Sequence, residues 1–175
     1  MTAELVGEGL AQAERAIAEI RELARGIHPA ILTDRGLVEA LSELTDYSAV
    51  PVSLEAQLDR RLPAPVEVTV YYVVSEALTN VAKHGQATRA HVTLDECGGE
   101  LRLTIGDDGV GGADPSRGSG LVGLKDRVEA GGGTLTVESR PGEGTRLDIA
   151  LPVRAAEPDD SAEPHRSKRT TFPLT

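Results

Sequence analysis

The stretch Val70–Gly85, VYYVVSEALTNVAKHG, sets the tightest limit on the fold. Read as a helix, it places Val70, Val73, Val74, Ala77, Leu78 and Val81 at three- and four-residue spacing. They form an apolar arc broad enough to demand a core to bury it. Beside the arc, Glu76, Asn80, Lys83 and His84 line up a turn apart, because residues at i, i+4 and i+7 or i+8 share a helix face. The row holds a carboxylate, a carboxamide, an ammonium and an imidazole. An amide oxygen can ligate Mg²⁺, a carboxylate can orient water or act as a base, and the cationic pair can meet phosphate. An ordinary amphipathic helix also has a polar row, so the rest of the chain must decide between structure and site.

The chain's 175 residues are enough for one domain with a full core and an appendage. Three Tyr, one Phe and no Trp leave Leu, Val, Ile and Ala to build that core. A net charge of −10 argues against a nucleic-acid surface and against anionic membrane. An acidic protein can still bind a polyphosphate, given local help from Mg²⁺, backbone amides and a few cations. A single cysteine, Cys97, excludes an internal disulfide and fits a reducing cytoplasm. No signal peptide opens the chain, and no apolar run approaches the ~20 residues a bilayer needs. The expectation is a cytoplasmic chain without membrane contact of its own; anchoring of a longer parent is left open.

In order, Thr2–Ile27 reads as a helix with a heptad seam of Val6, Leu10, Ala13, Ile17, Ile20, Ala24 and Ile27. So narrow a seam suggests packing against another long helix. His28, before Pro29, reads as a polar residue at a helix C-terminus, where a cation is favoured. Leu37–Tyr47 is a short helix with Leu37, Leu41 and Leu44 inward. Pro51–Leu58 alternates as a strand, and Asp59–Pro65 is a connector in which Pro63 and Pro65 are expected to stop any regular element. Arg89–Asp95 and Leu101–Gly106 form a hairpin across Gly98-Gly99. Asp107–Gly123 contains six glycines and no period, and reads as a loop. Leu121–Ala130 is a helix. Thr134–Ser139 and Thr145–Pro152 are strands joined by RPGEG. From Arg154 the chain is rich in Pro, Asp, Glu, Ser and Arg, and is expected to be disordered. The pattern predicts an α+β fold: a mixed sheet with helices on one face.

Three features follow in fixed order. Glu76-x-x-x-Asn80 lies on a helix, Asp107-x-Gly109-x-Gly111 at a strand end, and Gly118-x-Gly120-Leu121-x-Gly123 at a helix start. Asp107 can accept a hydrogen bond from an exocyclic amine. Gly109 and Gly111 allow backbone to approach a flat ring. The third segment offers unpaired amides to an anion, with Lys125 just inside the helix. It is neither a Walker loop nor a dinucleotide fingerprint. Together the features describe a purine nucleotide triphosphate site.

The set SEALTNVAKHG, IGDDGVGG, GSGLVGL and GEGT resembles the ATP-binding domain of the gyrase, heat-shock chaperone, histidine kinase and MutL superfamily. Within it, the likeness is to sensor histidine kinases of the subfamily that serves helix-turn-helix response regulators, over roughly residues 10–152. The resemblance implies a two-layer α/β sandwich of the Bergerat type. It implies that Asn80 ligates Mg²⁺, that Glu76 holds or polarises water beside the metal, and that Lys83 and His84 face phosphate. Asp107 would read the adenine amine, with Gly109 and Gly111 beside the base. Gly118, Gly120, Leu121 and Gly123 would form the phosphate-facing end of a mobile lid, and Thr145 would close the adenine pocket, directly or through water. It also implies domains: 1–28 as the second helix of a dimerisation hairpin, 29–35 as linker, 36–153 as the ATP-binding domain and 154–175 as tail. The implied partners are the phosphoacceptor helix of a homodimeric kinase and a response regulator.

Two departures stand out. No His followed by an acidic residue matches the phosphoacceptor box, so the chain resembles a fragment able to bind ATP but not to phosphorylate itself. The phenylalanine-containing box of many histidine kinases is also absent. Alternatives are an ATPase or switch of the same superfamily, a serine kinase of the anti-sigma type, and a degenerate binding module; intact Glu76, Asn80 and Asp107 argue against the last.

Overall fold

The structure, a computed structural model, describes residues 30–113 and 119–153. The heptad seam, His28, Gly118 and the segment from Arg154 lie outside the described residues. Within them the order is α1 (Ala30–Asp34), α2 (Leu37–Asp46), β1 (Val52–Gln57), α3 (Ala64–Asn80), a π turn (Val81–Gly85), β2 (Ala90–Cys97), β3 (Glu100–Asp107), α4 (Ser119–Ala130), β4 (Thr134–Glu138) and β5 (Thr145–Pro152).

The strands make one five-stranded sheet in the order β1-β2-β3-β5-β4. β1 runs parallel to β2, and β2–β3, β3–β5 and β5–β4 are antiparallel. Alternation decides which face is covered. Val92 and Leu94, Leu101, Leu103 and Ile105, and Leu147, Ile149 and Leu151 are buried. Their neighbours His91, Asp95 and Arg102 are exposed on the other face. The covering layer comes from α2 through Leu37, Ala40 and Leu41, from α3 through Val70, Val73, Val74, Ala77 and Leu78, and from α4 through Leu124 and Val128. The result is the expected mixed α+β sandwich, with helices on one face and a core without Trp or Phe. Each of its fully buried Leu side chains is of the kind whose truncation to Ala costs about 2–5 kcal/mol.

Two boundaries differ from expectation, each for a physical reason. Pro65 does not stop regular structure. It sits in the first turn of α3, capped by Pro63, where a missing N–H costs nothing and the fixed φ is already helical. α4 starts at Ser119, two residues before the expected Leu121, so Gly120 lies inside the helix and not in the loop before it.

Residues 30–34 form a short helix whose Leu32 is fully buried. One side chain ties it to α3. The Arg61 guanidinium donates to the Leu32 carbonyl at 2.6 Å and to both oxygens of Glu67 at 2.9 Å. Glu67, 2 % exposed, also accepts the buried Leu62 amide at 3.2 Å, so every polar atom of this buried carboxylate is paired.

Candidate functional site

α3 ends in a change of winding. Val81–Gly85 forms a π turn, after which Gln86 takes a left-handed φ of +48°. Single π turns in α-helices are frequent at functional sites. Here Val81 stays buried while Lys83 and His84 are exposed at the helix end. Glu76, Asn80, Lys83 and His84 all line one cleft of about 530 Å³, as the polar row anticipates.

The facing wall is the end of β3 and the start of β5. Asp107 pairs with Thr145 across these strands, and Ile105 with Leu147 one step deeper. Directly opposed residues of an antiparallel pair point to the same face. Asp107 and Thr145 therefore stand side by side, over an apolar floor of Ile105 and Leu147. Gly111, Gly112 and Ala113 close one side, and Gly120 and Leu121 of α4 the other. A slot with one apolar floor, a carboxylate and a hydroxyl at its edge suits a flat heteroaromatic ring; Lys83, His84 and the start of α4 beyond it suit an anion.

Gly120 brings the two helices together. A Cβ placed there would lie 3.3 Å from Glu76 Oε1 and 3.5 Å from Asn80 Nδ2. The start of α4 thus rests directly on the carboxylate and carboxamide of α3.

The other glycines divide by role. Gly109 does not line the cleft. A Cβ on it would strike the Gly85 carbonyl oxygen, which accepts the Val110 amide at 2.8 Å. Its close approach is to the Gly85 backbone and the Asp107 carboxylate. Gly111, at φ +61°, does line the cleft but is equally constrained from behind by the Arg140 carbonyl. Gly144, at φ +73°, lies against the Asp107 carbonyl, where no side chain fits. Gly123 and Lys125 are away from the cleft. Gly123 lines a separate groove with Pro65, Asp126 and Arg127, and Lys125 reaches Glu129 at 3.8 Å.

Two residues that the motifs do not announce hold the site in shape. Asp108 accepts the Thr88 hydroxyl at 2.7 Å, the Thr88 amide at 2.8 Å and the Arg89 amide at 3.1 Å. The Thr88 hydroxyl first, then the two amides, lower its carboxyl from 3.8 to about 2. This fastens the segment after the π turn to the glycine loop. Ser139 does the same for the other rim, through Ala113, Gly144 and Thr145. A second acidic residue after Asp107 and a Ser before RPGEG were the only hints of either.

The family model for histidine kinase-, DNA gyrase B- and HSP90-like ATPases matches residues 66–155, just over half of the chain. The chain belongs to that family. Within this ATPase family it is similar to the signal transduction histidine-protein kinase/phosphatase DegS of Brevibacillus brevis, 30 % identical over 162 residues, covering 88 % of this chain and 40 % of DegS. Among solved structures it is similar to the blue-light activated histidine kinase of Erythrobacter litoralis EL346, with a TM-score of 0.56 and 25 % identity over 67 % of this chain and 39 % of that one. The ATP-binding domain of PrrB from Mycobacterium tuberculosis shares the fold, with a TM-score of 0.53 and 22 % identity over 68 % of this chain and 92 % of that domain. The family's ATP-binding fold is therefore this chain's fold, and the cleft sits in it. The chain spans less than half the length of the curated relatives it matches. No helix among the described residues is long and apolar enough to cross a membrane.

Proposed function

We propose that the chain is the Mg²⁺-ATP-binding catalytic domain of a two-component sensor histidine kinase. The observation that carries this reading is the single cleft shared by Glu76 and Asn80 on one wall and Asp107 and Thr145 on the other. Asp107 takes the 6-amine of adenine, and Thr145 meets the adjoining ring edge. Ile105 and Leu147 lie against the ring. Lys83, His84 and the α4 start at Gly120 and Leu121 face the phosphates.

The donor set fits Mg²⁺. Asn80 and Glu76 offer oxygens one turn apart beside Gly120, and Mg²⁺ keeps several waters and phosphate oxygens when bound by one or two side chains. Asn80 would hold the ion directly and Glu76 through water, and the ion would neutralise phosphate charge. The protein's own part is positioning and electrostatics, which dominate phosphoryl transfer.

The γ-phosphate acceptor is a histidine on a dimerisation helix of the same kinase, and a response regulator is the next partner. This sequence has no His followed by Asp or Glu, so the chain alone does not label itself. The test is incubation with γ-labelled ATP, alone and with the phosphoacceptor helix of a subfamily kinase added in trans. Acid-labile, base-stable label on the added helix supports a histidine kinase. Free phosphate without protein label favours an ATPase, acid-stable label a serine kinase, and label on His28 contradicts the expectation that the chain does not label itself.

A further inference from the structure

We propose that Ser139 is a positioning residue for base recognition, because it fixes which way the Thr145 hydroxyl presents its hydrogen. The inference rests on the nucleotide reading above and concerns a residue that does not itself line the cleft.

Ser139 lies just beyond β4. Its Oγ accepts the Ala113 amide at 2.9 Å, lies 2.9 Å from Thr145 Oγ1 and 3.3 Å from the Gly144 carbonyl. A serine hydroxyl has one hydrogen and two acceptor positions. Ala113 occupies one acceptor position. The hydrogen then goes either to Thr145 or to Gly144.

The two choices have opposite consequences in the cleft. If Ser139 donates to Thr145, the Thr145 hydrogen is free and the cleft gains a donor. If Ser139 donates to Gly144, Thr145 donates back to Ser139 and offers the cleft only a lone pair. Hydroxyl donors favour separations of 2.5–3.0 Å. The contact at 2.9 Å meets that range and the one at 3.3 Å does not. The first arrangement is the better one, so the Thr145 edge of the slot prefers an acceptor.

Register says where that acceptor sits. Thr145 is the direct cross-strand partner of Asp107. With Asp107 on the 6-amine, Thr145 meets the neighbouring ring nitrogen, directly or through one water. In adenine that nitrogen is an unprotonated acceptor, whereas in a 6-oxo purine it carries hydrogen. Asp107 and the Ser139–Thr145 pair therefore exclude 6-oxo purines by two separate contacts, and the second depends on a serine behind the wall. The same serine anchors Ala113, so the rim of the glycine loop and the polarity of the base contact are set by one hydroxyl.

The test compares binding of ATP and 1-deaza-ATP, which lacks only that ring nitrogen, by calorimetry. The wild-type chain is expected to bind 1-deaza-ATP roughly tenfold more weakly, the size of one good hydrogen bond. Ser139→Ala is expected to reduce this ratio to about twofold, and Ser139→Thr to restore it. A general loosening of the fold would weaken both ligands together and leave the ratio in place. Should the alanine variant not fold, Ser139→Cys gives the same comparison, since sulfur is a weak partner in both directions. A tenfold ratio kept in Ser139→Ala or Ser139→Cys overturns the inference, as does a wild-type chain that binds both ligands equally. A wild-type chain that binds no ATP overturns the nucleotide reading and this inference with it.

Discussion

Asp107 Oδ1 accepts the Gly109 amide at 2.8 Å, two residues further along the chain. One carboxylate oxygen thus shapes the turn out of β3, and the side chain as a whole lines the cleft. An amide in its place can still accept from Gly109 through its oxygen, but it turns an NH₂ toward the ligand. Asp107→Asn is therefore expected to keep the melting temperature within a few degrees while weakening ATP roughly 10- to 100-fold, since a donor then faces the donor of the 6-amine. Thermal melting and calorimetry on the same sample separate the two effects. Unchanged ATP affinity in a folded variant would remove Asp107 from the site.

Gly120 is expected to trade affinity for stability. Replacing a helical Gly by Ala stabilises by about 0.5–1 kcal/mol. The new methyl, however, would sit 3.3 Å from Glu76 Oε1 and close to both terminal atoms of Asn80. Gly120→Ala should melt no lower than the wild type and bind ATP less tightly in Mg²⁺. A variant that melts higher and binds as well would show that phosphates do not pass this point.

The glycines of the motif segments fall into two classes that substitution can tell apart. At Gly109 and Gly144 a Cβ would meet the Gly85 and Asp107 carbonyls, and Gly144 also has a positive φ. Gly123 has open space around its Cβ position and lies within α4. Gly123→Ala should leave ATP affinity unchanged and raise stability by about 0.5–1 kcal/mol. Gly109→Ala and Gly144→Ala should lower the melting temperature clearly. Equal behaviour at all three positions in denaturant titrations would contradict the backbone contacts that separate them.

Asp108 makes acid stability measurable at one residue. Its carboxyl titrates at about 2 in the fold, against 3.8 when unperturbed, with the Thr88 hydroxyl as the leading cause. The folded value is the lower one, so the unfolded chain takes up protons first as pH falls. The stabilisation is complete above about pH 4 and is lost as pH drops through about 2. Asp108→Ala should be less stable than the wild type at neutral pH, and the two should converge toward pH 2. A stability gap that is independent of pH over that range would mean that the charge of Asp108 is not what holds Thr88 and Arg89.

Much of this was legible in the chain because period and chemistry coincide. The arc of Val70, Val73, Val74, Ala77, Leu78 and Val81 is buried as its spacing requires. The alternation of β2, β3 and β5 names the core and, at Ile105 and Leu147, the floor of the cleft. What stayed hidden is of another kind. Pro65 can end a helix or begin one, and only the tertiary placement of α3 decides. The start of α4 has too little apolar pattern to fix its first residue, so Gly120 reads as loop. That Gly109 makes room for the Gly85 carbonyl was hidden too, because a glycine does not say which neighbour approaches it. Asp108, Ser139 and the Arg61 bond to the Leu32 carbonyl act through contacts between distant segments, and no local pattern encodes such contacts.

The shared cleft of Asn80 and Asp107 is tested most directly by titrating ATP into wild-type and Asn80→Ala protein, each with Mg²⁺ and with EDTA. The wild type should bind more tightly with Mg²⁺. Asn80→Ala should lose most of that increment and bind nearly as well in EDTA as in Mg²⁺, with its melting temperature kept, because Asp107 and the apolar floor still hold the base. An undiminished Mg²⁺ increment in Asn80→Ala would contradict the account.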